Sequence, residues 1–173
     1  MTSTHDQPSG QTRARTRETT IDDPQEMGRL ARELPGIDFL RAVIEQQFRV
    51  PIGATLDFRL SEVEPGRCLF IAEPSEFMFN AIGTLHGGYY AAVLDAALGV
   101  AVHSELPQGV GYTTLELKVN IVRPYTLGAG PLRVEGRVLH SGRRTAVSEA
   151  SVLDRNGKLY AHATSTCLII GPV

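Results

Sequence analysis

The chain has 173 residues, enough for one domain with a substantial core, and its 42% apolar and 21% charged residues are ordinary for a globular protein. Its net charge of −2 gives no general attraction to nucleic acid or to an anionic membrane. Two cysteines form no disulfide framework, and no segment is apolar over the length of a membrane span. We therefore expect a cytoplasmic protein with neither nucleic acid nor membrane as a partner.

The first 50 residues are predicted to contain a tail and two helices. Residues 1–22 are polar and lack hydrophobic periodicity, which predicts a disordered tail. In residues 24–34 and 37–48, apolar side chains recur every three or four positions, as they do on one face of a helix. We therefore divide the chain into the tail, an N-terminal helical extension over residues 23–50, and a folded domain over residues 51–173.

The folded domain is predicted to contain six strands and one long helix. Two strand-like runs cover residues 54–63 and 67–72, and an apolar, helix-like run follows within residues 80–102. Four more strand-like runs cover residues 111–122, 132–141, 145–153 and 159–170. Short turns between consecutive strands favour an antiparallel sheet, and a helix that is apolar nearly all round should be enclosed by it. The predicted fold class is α+β, with a curved antiparallel sheet wrapped around a central helix.

Asp95 is the only charged side chain within the apolar run of residues 89–102. Burial of an unpaired carboxylate costs several kcal/mol, so a carboxylate in this position indicates a function. The alternative is that Asp95 lies at a solvent-exposed edge of the helix or accepts a hydrogen bond from a backbone amide.

The start of the same helix is marked by His86, Gly87 and Gly88. Helix N-termini present unpaired N–H groups and a partial positive charge, and glycines allow an oxygen atom to approach those amides closely. Tight packing of the helix on the sheet would also explain the glycines, and a structural hydrogen bond at the helix start would explain His86.

These segments together resemble the hotdog-fold acyl-CoA thioesterases, and most of all the branch that acts on phenylacetyl-CoA and 4-hydroxybenzoyl-CoA. The resemblance rests on Asn80-x-x-Gly-x-x-His86-Gly87-Gly88, on Asp95, and on the strand GYTTLELKVNIVRP that begins at residue 111. It covers roughly residues 54–170, and it implies a hotdog fold and hydrolysis of an aryl or short- to medium-chain acyl-CoA to the free acid and CoA. No cofactor is implied.

The resemblance also implies roles for individual residues. Asn80, His86 and Gly87 would hold and polarise the thioester carbonyl, and Asp95 would be the catalytic carboxylate, as general base or as nucleophile. Thr114 would form a hydrogen bond near this carboxylate, although a register error of one residue would exchange it with Thr113.

Other residues are weaker candidates for substrate binding. Gly88 belongs to the same helix start, and Phe79 and Tyr89 could line an acyl pocket, although core packing explains them equally well. Arg143 and Arg144 could contact the phosphates of CoA, although a solvated turn is the simpler explanation. We expect no metal site, because the histidines are isolated from one another.

The spacing between Gly87 and Asp95 carries an implication for assembly. Eight residues of helix separate their backbones by about 12 Å along the helix axis. If both act on one thioester, they must come from different chains, which predicts a homodimer or a tetramer formed as a dimer of dimers. The main alternative function is a non-catalytic domain that binds or senses acyl-CoA; a hydratase of the same fold would need a differently spaced motif.

Overall fold

The computed structural model describes residues 13–171. Its helices are α1 (Pro24–Glu33), α2 (Gly36–Glu45), α3 (Pro51–Leu56) and α4 (Gly87–His103), with a short 3-10 turn at Glu76–Met78. Its strands are β1 (Phe58–Glu64), β2 (Arg67–Ala72), β3 (Gly111–Ile121), β4 (Leu132–Ser141), β5 (Thr145–Leu153) and β6 (Leu159–Ile170).

The six strands form one antiparallel sheet in the order β1-β2-β4-β5-β6-β3, so β1 and β3 are its edges. Helix α4 packs across one face, and its buried side chains, among them Tyr90, Leu94 and Leu98, form the centre of the main core. The helix lies very close to β4, because a Cβ atom at Gly136 would collide with the carbonyl oxygen of Ala97. This architecture confirms the predicted α+β hotdog fold.

One stripe of α4 is less buried than the rest of the helix. Ala91, Ala92, Asp95, Ala96 and Val100 are only half-buried, and their three- and four-residue spacing places them on one side of α4. The sheet packs on the opposite side of the helix, and α2 covers the end of the stripe at Val100. Small side chains dominate this half-buried stripe, with one carboxylate among them.

The expected strand over residues 54–63 begins only at Phe58, because residues 51–56 form helix α3. Pro51 stands in the first turn of α3, where its missing N–H and fixed φ are tolerated, and Asp57 ends the helix with a left-handed φ of 57°. The alternation of apolar residues before Phe58 was therefore a misleading strand signal.

The two predicted helices of the extension are present as α1 and α2. Asp23 caps α1 by accepting a hydrogen bond of 2.8 Å from the amide of Gln25. Helix α2 is shorter than its apolar periodicity indicated, since it ends at Glu45. It buries Phe39, Leu40 and Val43 against β1 and the C-terminal end of α4, so the extension packs directly on the sheet and on α4.

The segment that precedes α1 contacts the folded domain. Residues 13–22 have no helix or strand, and residues 1–12 of the predicted tail over residues 1–22 lie outside the described residues. The guanidinium of Arg17 pairs with both carboxylate oxygens of Asp57 at 2.9 and 2.7 Å and also donates to the carbonyl of Ala54 at 2.9 Å. The proposed boundaries of tail, extension and domain stay a prediction.

Between residues 13 and 171, no helix is long and apolar enough to cross a membrane. In the same part of the chain, no group of three or more His, Cys, Asp and Glu side chains is placed to bind a metal ion. Cys68 and Cys167 are free and buried, as expected for small core residues.

Candidate active site

Asp95 is held by a hydrogen bond from β3. The hydroxyl of Thr114 donates to Asp95 Oδ1 at 2.9 Å. Tyr112 and Thr114 alternate with exposed neighbours along β3, so both lie on the face toward α4, whereas Thr113 is exposed on the opposite face. Of the two adjacent threonines, Thr114 is therefore the one that contacts the carboxylate.

His86 begins α4 and caps it with its own ring. Its backbone is extended, with φ −65° and ψ 138°, and its Nδ1 accepts a hydrogen bond of 2.8 Å from the amide of Gly88. A neutral imidazole that accepts through Nδ1 carries its proton on Nε2, which leaves Nε2–H available as a donor. The N–H of Gly87 has no hydrogen-bond acceptor among residues 13–171, so it is a free amide at this helix start.

Asn80 shapes the loop that leads into α4. Its Oδ1 accepts hydrogen bonds from the amides of Ile82 and Thr84, each at 3.1 Å, and its Nδ2 donates to Thr84 Oγ1 at 2.9 Å. The amide of His86 closes the same loop by donating to the carbonyl of Met78 at 2.9 Å. In this structure Asn80 fixes the backbone that presents His86.

A single chain does not bring the two predicted halves of the site together. Gly87 lies near the end of β3, where an added Cβ would be 3.4 Å from the side chain of Ile121, whereas Asp95 contacts Thr114 near the start of that strand. Thr114 and Ile121 are seven residues apart on β3, which corresponds to about 23 Å of extended chain. Gly87 and Asp95 are about 12 Å apart along the axis of α4. The helix start and the carboxylate are therefore distinct regions of the subunit.

Asp95 and Thr114 line a cavity of about 1170 Å³ that the sequence did not indicate. The other walls come from α2, α3, β1, β2 and the second half of α4. Burial lowers the pKa of His103 in this cavity from its ordinary value of 6.5. Burial, with smaller contributions from Cys167 and the charge of Asp95, raises the pKa of Tyr112. The one sequence signal for this cavity was the apolar face of residues 37–48, whose partner was unknown.

The weaker candidates lie away from this cavity. Phe79 is half-buried and packs edge-on against Tyr125, and Tyr89 is buried in the main core, where desolvation raises the pKa of its phenol. The Tyr89 hydroxyl has no hydrogen-bond partner in the described structure. Arg143 and Arg144 are exposed in the turn between β4 and β5. The cavity that contains Asp95 is lined neither by Phe79 and Tyr89 nor by the two arginines.

Comparison with known proteins assigns the chain to a family. Residues 82–161 match the model of the Thioesterase superfamily. A candidate esterase of Saccharolobus solfataricus, SSO2140, is 31% identical over 115 residues, which cover 66% of this chain and 80% of that protein.

Solved structures agree with this assignment. A thioesterase family protein from Silicibacter pomeroyi is 27% identical with a TM-score of 0.67, and the match covers 76% of this chain and 98% of that one. The protein smu.793 of Streptococcus mutans, solved bound to acetyl-CoA, is 28% identical with a TM-score of 0.61, over 66% of this chain and 90% of that one. The chain therefore belongs to the Thioesterase superfamily and is a thioester hydrolase with the hotdog fold.

Proposed function

We propose that this protein hydrolyses acyl-CoA thioesters at two equivalent sites of a homodimer, each built from both subunits. Asp95 and Thr114 come from one subunit, and the α4 N-terminus with Gly87 comes from the other. The observation that carries the proposal is the hydrogen bond of 2.9 Å between Thr114 and Asp95, which sets a carboxylate at a cavity beside the half-buried stripe of α4. The acetyl-CoA bound to the Streptococcus mutans relative supports CoA as the thiol.

Each part of the site has a chemical task in this proposal. The free amide of Gly87, with the positive end of the α4 dipole, polarises the thioester carbonyl and stabilises the oxyanion. Asp95 either removes a proton from water, whose oxygen then bonds to the carbonyl carbon, or attacks that carbon itself to give an anhydride that water hydrolyses. In both routes the C–S bond breaks, and the CoA thiolate leaves and takes up a proton. Thr114 orients the carboxylate.

A second copy of the chain could pack beside the first half of α4 and along β3. Ala91 and Ala92 are small and half-buried there, and the edge strand β3 exposes unpaired backbone groups together with Leu115 and Ile121. An antiparallel arrangement of two α4 helices would place each Asp95 beside the other subunit's Gly87, which closes the 12 Å gap estimated from the helix rise. Whether two such dimers form a tetramer stays a prediction.

The remaining substrate contacts are also proposals. Arg143 and Arg144 stay our expected contacts for the CoA phosphates, because their exposed guanidinium groups can donate paired hydrogen bonds. The location in the cytoplasm is likewise an expectation from the sequence alone.

The test is a thiol-release assay with aryl, short-chain and medium-chain acyl-CoAs. Asp95→Asn keeps the shape of the side chain but removes its charge, and we expect kcat to fall at least ~100-fold while the protein still binds acyl-CoA. Thr114→Val, which removes only the hydroxyl, should lower kcat by about tenfold or more. Thr113→Val is the matched control, because Thr113 lies on the opposite face of β3 and is left out of the proposed site. Near-normal turnover by Asp95→Asn would refute the assignment.

A further inference from the structure

The cavity next to Asp95 is much larger than an acetyl group requires. Its volume of about 1170 Å³ is above the range of about 300–1,000 Å³ that small-molecule sites in proteins usually occupy. It begins at Asp95 and Thr114 and continues past Ala96 and Val100, along the half of α4 that leads to His103. A substrate whose carbonyl carbon lies at Asp95 therefore has space beside it within the same subunit.

The wall opposite α4 is supplied by the N-terminal extension. Phe39 and Val43 of α2 line the cavity, and they form a cluster that packs against Val100 of α4. Phe58 and Phe70 of the neighbouring strands line it as well and pack edge-on, with ring centroids 5.8 Å apart. This part of the cavity is apolar and aromatic, which suits a hydrocarbon chain or an aromatic ring.

Two of the polar residues that line the cavity, His103 and Asp57, are compatible with an apolar occupant. The His103 ring packs between Phe39 and Tyr112, at centroid distances of 5.8 and 5.6 Å, and its burial favours the uncharged form. Asp57, at the rim, is paired with Arg17 at 2.7 Å. The remaining charged lining residues Arg49, Arg59 and Glu73 are exposed to solvent, so the cavity combines an apolar, aromatic wall with polar side chains at its surface, as small-molecule sites do.

We propose that the acyl group of the substrate lies in this cavity, that it is apolar and larger than acetyl, and that α2 of the extension forms its outer wall and limits its length. The proposal rests on the function proposed above, because it takes Asp95 as the position of the thioester carbonyl. It gives the extension the role of setting acyl selectivity. The match to the acetyl-CoA-bound relative covers 90% of that chain but 66% of this one, so this chain has additional residues available for such a role.

The test compares acyl-CoAs of different size on variants that narrow or widen the cavity. Val43→Phe narrows it from the side of the extension, and Val100→Phe narrows it from the side of α4. Val147→Phe is the matched control, because Val147 is half-buried on the face of β5 that points away from the core, between buried Ala146 and Ser148. Val43→Ala widens the same wall and serves where a larger side chain prevents folding. Acetyl-, octanoyl-, dodecanoyl- and phenylacetyl-CoA are the substrates.

We expect the wild-type protein to prefer octanoyl- or phenylacetyl-CoA over acetyl-CoA by at least about tenfold in kcat/KM, because each buried methylene contributes to selectivity. Both narrowing variants should lower this ratio by about tenfold or more, and Val147→Phe should leave it unchanged. Val43→Ala should raise the ratio of dodecanoyl- to octanoyl-CoA. The separate octanoyl and phenylacetyl results show whether the chain or the ring is the better occupant.

Three results would overturn the proposal, and they are distinguishable. If the wild-type protein hydrolyses no acyl-CoA, the proposed function fails and the acyl pocket fails with it. If it hydrolyses acyl-CoAs but prefers acetyl-CoA, only the pocket fails. If it prefers larger acyl groups and none of the Val43 and Val100 variants changes that preference, the acyl group lies elsewhere.

Discussion

Substitution of Gly87 by proline should remove the oxyanion donor and leave the fold intact. Gly87 is the first residue of α4, a position where proline is well tolerated because the N–H has no intrahelical acceptor. The residue before a proline must be extended, and His86 already is, with ψ of 138°. An added Cβ would meet only the side chain of Ile121, at 3.4 Å, so local strain should be small.

The magnitude follows from the loss of one N–H. Removal of a single oxyanion donor costs about 10²–10³ in kcat, which corresponds to about 2.7–4 kcal/mol of transition-state stabilisation. Because Gly87 N–H has no partner in the described structure, its removal breaks no hydrogen bond of the folded chain. The thermal midpoint of Gly87→Pro should therefore stay close to that of the wild type while thiol release falls by at least about 100-fold.

Gly87→Ala distinguishes the effect of losing the N–H from the effect of adding side-chain atoms. Alanine keeps the N–H and adds the same Cβ, so any steric effect on substrate appears in both variants and the loss of the donor appears only with proline. Equal kcat values for the alanine and proline variants would refute the role of the Gly87 amide. A large fall in thermal stability of Gly87→Pro would show that the amide has a structural partner instead.

Three further outcomes can be measured. Refolding a mixture of Asp95→Asn and Gly87→Pro chains should restore activity up to about a quarter of wild type. Half of randomly paired dimers are mixed, and each mixed dimer holds one intact site out of two. If mass spectrometry confirms mixed dimers and no activity returns, a site shared between subunits is excluded. Gly136→Ala should lower the free energy of unfolding by about 2 kcal/mol or more in urea titrations, because its Cβ would collide with the Ala97 carbonyl, and an unchanged urea midpoint would contradict that close approach. Burial lowers the pKa of His103 below 6.5, so at acidic pH the unfolded chain binds a proton more readily than the folded chain, and the free energy of unfolding decreases as the pH falls below that value. His103→Phe should therefore reduce the difference between the urea midpoints at about pH 7.5 and about pH 5.5. An equal difference in both proteins would show that His103 does not contribute to the pH dependence.

The strands and the central helix were predictable because each has one dominant local signal. The turns at Gly142 and Gly157 bound the last three strands at the predicted positions, and the apolar run marked α4. Helix α3 was missed because its six residues are too few to show a helical periodicity. Its starting Pro51 was visible, but no residue within it distinguishes so short a helix from a strand.

Parts of the candidate site could also be anticipated. Whether Thr114 or Thr113 pairs with Asp95 depends on which face of β3 points toward α4. Strand alternation leaves two choices, and only the fold decides between them. The cavity could not be predicted, because it forms between α2 and α4, which are distant in sequence. Phe39 and His103 become neighbours only once the extension has packed on the helix.

The pairing of Arg17 with Asp57 has a consequence for anyone who shortens this protein. Asp57 adopts a left-handed backbone conformation that glycine would accept more readily. Its carboxylate forms an ion pair with Arg17, whose guanidinium donates hydrogen bonds to both carboxylate oxygens. A fragment begun at residue 23, trimmed on the ground that the preceding residues look unstructured, would leave that carboxylate without its counter-charge. Such a fragment should fold less stably and should expose an uncompensated negative charge to the incoming acyl group, so a measured preference for small or polar acyl groups would then be a property of the truncation.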